Sequence, residues 1–115
     1  MIQSGQPPDR IKVIGASKGA FIGQLASAKL EEPEFRWVLV GGCHTKRMSK
    51  GGFPAMTGRV LSIYDSSDRI AGPCAPYKPL SAKTRSFEEI SISLGEGHGF
   101  QFSANAAWIT PALDW

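Results

Sequence analysis

Apolar and polar positions along this chain switch between two periods, and each switch marks an element. Ile11-Lys12-Val13-Ile14 reads as a strand running into Gly15-Ala16-Ser17-Lys18-Gly19, a Gly-x-Ser-x-Gly turn. Beyond it Phe21, Ile22, Leu25, Ala26 and Leu30 recur every three or four positions, with Gln24, Ser27 and Lys29 off the stripe, which predicts an amphipathic helix over 21–30. Glu31-Glu32-Pro33-Glu34 stops that helix. Residues 35–40 are an almost unbroken apolar run closed by Gly41-Gly42, the pattern of a strand covered on both faces in a parallel sheet. Residues 44–57 are polar, Gly-rich and without period: a loop with room for a short helical turn. A further strand is predicted over 58–64, broken by the turn formers Asp65-Ser66-Ser67-Asp68. Residues 72–86, with Pro73, Pro76 and Pro79, read as an extended connection. In 87–94 Ile90, Ile92 and Leu94 alternate with Glu89, Ser91 and Ser93, a strand near the sheet edge. Gly95-Glu96-Gly97-His98-Gly99 is a flexible turn, and 103–115 predicts a terminal helix with Ala106, Ile109 and Leu113 inward. Residues 1–9 read as a loose lead-in or the exit of a helix.

Strands alternating with helices and connections predict an α/β fold: a parallel sheet of about four strands with flanking helices, one domain over 1–115. If the strands are parallel, their C-terminal ends share one rim. That rim carries Ser17, Cys43 and His44, Asp65 and Asp68, and His98, where open α/β sheets place their chemistry.

Composition narrows the function classes. A 42% hydrophobic, 20% charged chain with net charge +3 is globular, and its basic residues are dispersed apart from Lys46, Arg47 and Lys50, so no nucleic-acid partner is expected. No apolar run approaches the 18 or so residues a membrane span needs, and no signal layout opens the chain, so no membrane partner is expected and the location expected is cytoplasmic. Cys43 and Cys74 lack metal-ligand spacing and are expected as free thiols, although both follow neighbouring strands and a disulfide needs only a close approach.

The strand–turn–helix setting makes the Gly-x-Ser-x-Gly run a candidate nucleophile elbow. Small residues two before and two after the serine, Gly15 and Gly19, avoid a clash, and the free N–H groups at the helix start would stabilise negative charge at Ser17. A serine hydroxyl needs an imidazole to take its proton and an acid to orient that imidazole. His98, flanked by Gly97 and Gly99 that would let its ring swing, is the candidate base. Asp68 is preferred over Asp65 as the acid, with Glu96 third; either aspartate could instead close a turn or cap a helix. His44 is read as a pocket or surface residue, and a Cys43-based nucleophile has no elbow to support it. A third, weaker option is that the Gly-rich turn cradles a phosphate.

The order Ser17, Asp68, His98, each after a strand, and the motifs Gly15 to Gly19, Tyr64 to Asp68 and Gly97 to Phe100 resemble the α/β-hydrolase fold family, in particular its small bacterial serine hydrolases, over the C-terminal half of that fold. The resemblance implies a truncated α/β-hydrolase fold in which Ser17 is nucleophile, Asp68 acid and His98 base. It also implies hydrolysis of a small-molecule ester or related acyl bond through an acyl-enzyme, with no metal or organic cofactor. The family draws one oxyanion donor from an earlier loop, so Lys18 N–H is expected as the remaining one, which would weaken or abolish turnover and leave a binding or oligomerisation module. The family's elbow strand is central, so a homodimer is expected here, through an exposed strand 11–14 or through the faces that the family's further helices would cover.

Overall fold

The computed structural model describes Pro7 and residues 10–115, so most of the expected lead-in over 1–9 lies outside the described residues. Strands β1 (Lys12–Ala16), β2 (Arg36–Val40), β4 (Arg59–Asp65) and β6 (Ser86–Ile92) form one sheet in the order β1-β2-β4-β6. Every pairing is parallel, with Val13 beside Trp37, Trp37 beside Val60, and Val60 beside Phe87. The α/β reading holds at that level. Helix α1 (Lys18–Leu30) packs on β1 and β2, while α4 (Ala106–Asp114) covers the opposite face.

Parallel strands must be covered twice, and β2 meets the demand by alternation. Trp37 and Leu39 enter one core with Phe35, Val60, Met48, Met56 and Leu80, and Val38 and Val40 enter the other with Leu61, Ile63, Phe100 and Ala112. Smaller elements lie where the sequence predicted connections. A two-stranded antiparallel ribbon joins β3 (Cys43–His44) to β5 (Ala71–Gly72), and short helices α2 (Thr45–Ser49) and α3 (Lys78–Ser81) flank it.

Three expectations are overturned. Most of the stripe predicted for α1 does not face the sheet: Ile22 and Leu25 are 58% and 45% exposed, Leu30 is exposed too and Phe21 is half-buried; of that stripe Ala26 packs on the core, and Ala20, Gly23, Gln24 and Ser27 are the buried positions. The cause is close approach. A Cβ on Gly42 would come within 2.9 Å of the Ala20 Cβ, and one on Gly23 would already touch Leu39 and Trp37. Ala20, Gly23 and Ser27 keep this face small, and Gln24 is admitted because its amide finds a partner: Gln24 Nε2 donates to the Gly42 carbonyl, and Ser27 exchanges hydrogen bonds with Thr57. In α4 the inward positions are Trp108, Ala112 and Trp115, while Ala106 and Leu113 are exposed and Ile109 is half-buried. The Trp108 indole donates to the Ser103 carbonyl and thereby sets the face of the helix. Finally, Cys43 and Cys74 are not free thiols. They form a disulfide with Cα atoms 5.4 Å apart, because the ribbon pairs Cys43 with Gly72, two residues before Cys74.

Candidate active site

Parallel pairing carries every strand end to one rim, and backbone bonds hold those ends in step. Ser17 N–H donates to the Val40 carbonyl, Gly41 N–H to Ile63, and Ser66 N–H to Ile92. Ser17 sits between β1 and α1 with φ 53° and ψ −114°, a conformation an L-residue adopts only under strain. Gly15 makes the turn possible, since a Cβ there would lie 2.5 Å from the Gly19 carbonyl oxygen. Gly19 itself is not sterically required, contrary to the expectation of a mutual clash: a Cβ there meets nothing within 4 Å. What must stay small is position 15, against the backbone of 19. Ala20 and Phe21 N–H donate to the Ser17 carbonyl, whereas the N–H groups of Lys18 and Gly19, ahead of them in the chain, have no acceptor within the helix.

Ser17 Oγ lies 2.8 Å from His98 Nε2, and His98 Nδ1 lies 2.7 Å from Asp68 Oδ2. Asp68 is fixed in turn, its other oxygen accepting from Ile70 N–H at 2.8 Å and Ala71 N–H at 2.9 Å, with its side chain fully enclosed. His98 is not in a swinging glycine turn. It lies in a 3₁₀-helix, Gly97–Phe102, where Gln101 Nε2 donates to its carbonyl, and its ring abuts Gly41 closely enough that a Cβ there would stand 3.3 Å from Cε1.

Asp65 occupies a different place. It is buried at the end of β4, where Oδ1 accepts from the Ser67 N–H and hydroxyl and Oδ2 accepts from Leu94 N–H. Burial pushes its carboxyl up, but the Ser67, Leu94 and Gly95 hydrogen bonds outweigh this and hold it below its ordinary 3.8. Ser67 Oγ also accepts from Gly97 N–H at 2.9 Å, so a chain of bonds runs from Asp65 through Ser67 to the residue before His98. Asp65 and Ser67 thus bind the turn that carries Asp68 to the turn that carries His98. Glu96, the third candidate, caps the 3₁₀-helix without a side-chain bond.

His44, read as a pocket or surface residue, lies against the cluster. Its Nε2 lies 3.4 Å from Ser17 Oγ, and its ring stands edge-on to His98 with centroids 5.2 Å apart. Burial first, then the charges of His98 and Arg47, pull its pKa below 6.5 against the opposing pull of Asp68, so the neutral ring prevails at pH 7. With Ser17 donating to His98, the remaining lone pairs of Oγ face a neutral His44 able to offer Nε2–H. Arg47 is held away from this work, stacked 3.9 Å over Phe21 and bonded to the Gly42 carbonyl. Cys43, in its disulfide, has no thiolate to offer.

The structure brings the sequence candidates Ser17, Asp68 and His98 together and sets His44, read as a pocket or surface residue, beside them; Ser67 and Gly41 were not among the candidates. The only available signals were the Gly41-Gly42 pair and the position of His44 on the same rim. A cavity of about 620 Å³ between β6 and α4 includes no residue of this cluster. Among the described residues no group of three His, Cys, Asp or Glu is placed to hold a metal ion, and no helix is long and apolar enough to cross a membrane. No protein-family model, curated protein or solved structure matches the chain.

Proposed function

We propose that this protein is a serine hydrolase of the α/β-hydrolase type, cleaving an ester or related acyl bond through an acyl-enzyme. The observation that carries the reading is the unbroken line Ser17 Oγ, His98 Nε2, His98 Nδ1, Asp68 Oδ2, beginning at a strained serine on a helix N-terminus. In this mechanism Ser17 Oγ attacks the acyl carbon while its proton passes to His98 Nε2. The collapsing intermediate expels the alcohol, which takes that proton. Water then attacks the acyl-enzyme with His98 again as base, releasing the acid and restoring Ser17. Asp68 holds Nδ1 protonated, so that Nε2 is the accepting nitrogen. Lys18 N–H is the backbone donor to the oxyanion; a single such donor contributes about 3 kcal/mol.

A second reading, an inactive module that associates through its surface, draws on the apolar residues Ile14, Ile22 and Leu25 exposed along edge strand β1 and α1. As to location, a disulfide persists mainly in oxidising compartments and so favours one of these over the cytoplasm. Labelling by a fluorophosphonate probe decides between the readings. An adduct lost in Ser17→Ala supports the hydrolase; folded protein that takes up no probe refutes it, and a dimer by light scattering would then favour the module.

A further inference from the structure

Beside the reacting serine is a second, smaller cleft of about 240 Å³, lined by His44, Thr45, Lys46, Arg69 and Ile70. We propose that this cleft receives an anionic group of the substrate, a carboxylate or a phosphate, so that the ester hydrolysed is a small one bearing a second, acidic function. The inference rests on the hydrolase reading for its chemistry and on three observations for its site.

The first is position. His44 belongs both to the cleft wall and to the serine's surroundings, its Nε2 being 3.4 Å from Ser17 Oγ. An occupant of the cleft is therefore one imidazole away from the bond to be cut.

The second is charge. Lys46 and Arg69 are the charged side chains of the lining, His44 being neutral, and among the described residues neither has a carboxylate within 4.0 Å. Arg47 is engaged elsewhere, on Phe21 and the Gly42 carbonyl. Two cations facing one recess without a counter-charge leave a positive field that an anionic group would complete.

The third is construction. The two walls are joined, since Thr45 N–H donates to the Ile70 carbonyl and the β3–β5 ribbon pairs His44 with Ala71. The Cys43–Cys74 disulfide ties the base of that ribbon, and the hydrogen bonds of Ile70 and Ala71 to Asp68 anchor Arg69 beside the acid. Exposed Ile70 offers the carbon chain an apolar contact. Drug-sized ligand pockets begin near 300 Å³, so this recess suits a headgroup and a few carbons.

The test compares two esters with the same leaving group and acyl length, mono-4-nitrophenyl succinate and 4-nitrophenyl butyrate. The ratio of their kcat/KM values should favour the succinate by about tenfold at low salt, as expected of two partly exposed ion pairs, and shrink as salt is added. In the double variant Lys46→Gln, Arg69→Gln the ratio should fall to near one. Wild-type hydrolysis of butyrate with no preference for succinate overturns the cleft assignment while leaving the hydrolase reading standing. If neither ester turns over and Ser17 takes no probe, the hydrolase reading fails; the cleft is then judged by NMR titration with monomethyl succinate and with methyl phosphate. Saturable shifts at residues 44–46 and 69–70, lost in the double variant, support an anion site, and the tighter ligand identifies carboxylate or phosphate. The absence of shifts with both overturns it.

Discussion

The two aspartates of the β4 turn should separate function from stability when each is changed to asparagine. At Asp68 the oxygen that accepts from Ile70 and Ala71, at 2.8 and 2.9 Å, can be kept by the amide oxygen. The amide nitrogen then faces His98 Nδ1, where the carboxylate stood 2.7 Å away. Two donors cannot share that line, so the imidazole moves its proton to Nε2 and can no longer accept from Ser17. Loss of the correct tautomer costs about 10⁴-fold in kcat in hydrolases with this constellation, close to 5.5 kcal/mol of barrier. The fold retains both backbone bonds without the extra strength of a charged acceptor, a loss of about 1–2 kcal/mol. Asp65→Asn should do the reverse. Both of its oxygens accept from fixed donors, Ser67 on one side and Leu94 on the other. Either orientation of the amide therefore sets a donor against a buried donor, and about 3 kcal/mol is lost. For a domain of this size that is roughly 15 °C in Tm. The assay pairs the rate of fluorophosphonate labelling and butyrate ester hydrolysis, per folded molecule, with a thermal melt. Asp68→Asn within tenfold of wild type, or Asp65→Asn as the inactive but stable variant, would refute the assignment of roles.

Ser17→Gly should abolish labelling yet raise stability by roughly 1 kcal/mol, the relief of a φ of 53° less the entropy of a glycine, as measured by urea unfolding. Gly15→Ala should destabilise by about 2 kcal/mol or more while Gly19→Ala is tolerated, because only the first Cβ strikes backbone. Reduction of Cys43–Cys74, which closes a 31-residue separation, should lower stability by about 3.7 kcal/mol in the chain-entropy view, read as a fall in Tm on adding dithiothreitol. The pH dependence of stability has two components. Asp65 is held below 3.8 in the fold, so its contribution is complete above that pH and is lost as pH falls through its lowered value; Asp65→Asn removes this acid limb. His44 is held below 6.5, so the fold binds fewer protons than the unfolded chain and loses stability as pH drops below 6.5, a slope that His44→Gln should flatten in denaturant titrations.

The sheet was legible because its signal is local. The apolar run of β2 needs two covers wherever it lies, and it has them. The orientation of α1 was not legible, because a stripe of large apolar side chains is expected to face the core unless the backbones approach too closely to admit them. Around Ser17 they do: Gly15 abuts Gly19, Gly42 abuts Ala20, and the helix turns Ala20, Gly23 and Ser27 inward, with Gln24 where its amide reaches the Gly42 carbonyl. The disulfide was hidden for a related reason. It follows from a ribbon of two residues per strand, too short for any hydrophobic period to announce.

The same distinction explains the site. Ser17, Asp68 and His98 could be placed on one rim by topology alone, since parallel strands send all their C-terminal ends the same way. What brings the three from a common rim into hydrogen-bond distance is a set of turn-level bonds that no periodicity encodes. Asp65 grips Ser67, Ser67 receives Gly97 N–H, and Gly41 presents bare backbone to the His98 ring. Remove the Ser67 hydroxyl and both candidate catalytic loops keep their residues but lose the bond that couples them. Ser67→Ala should therefore slow labelling of Ser17 though residue 67 touches no reacting atom, and a labelling rate equal to wild type would show that the two loops hold their positions independently.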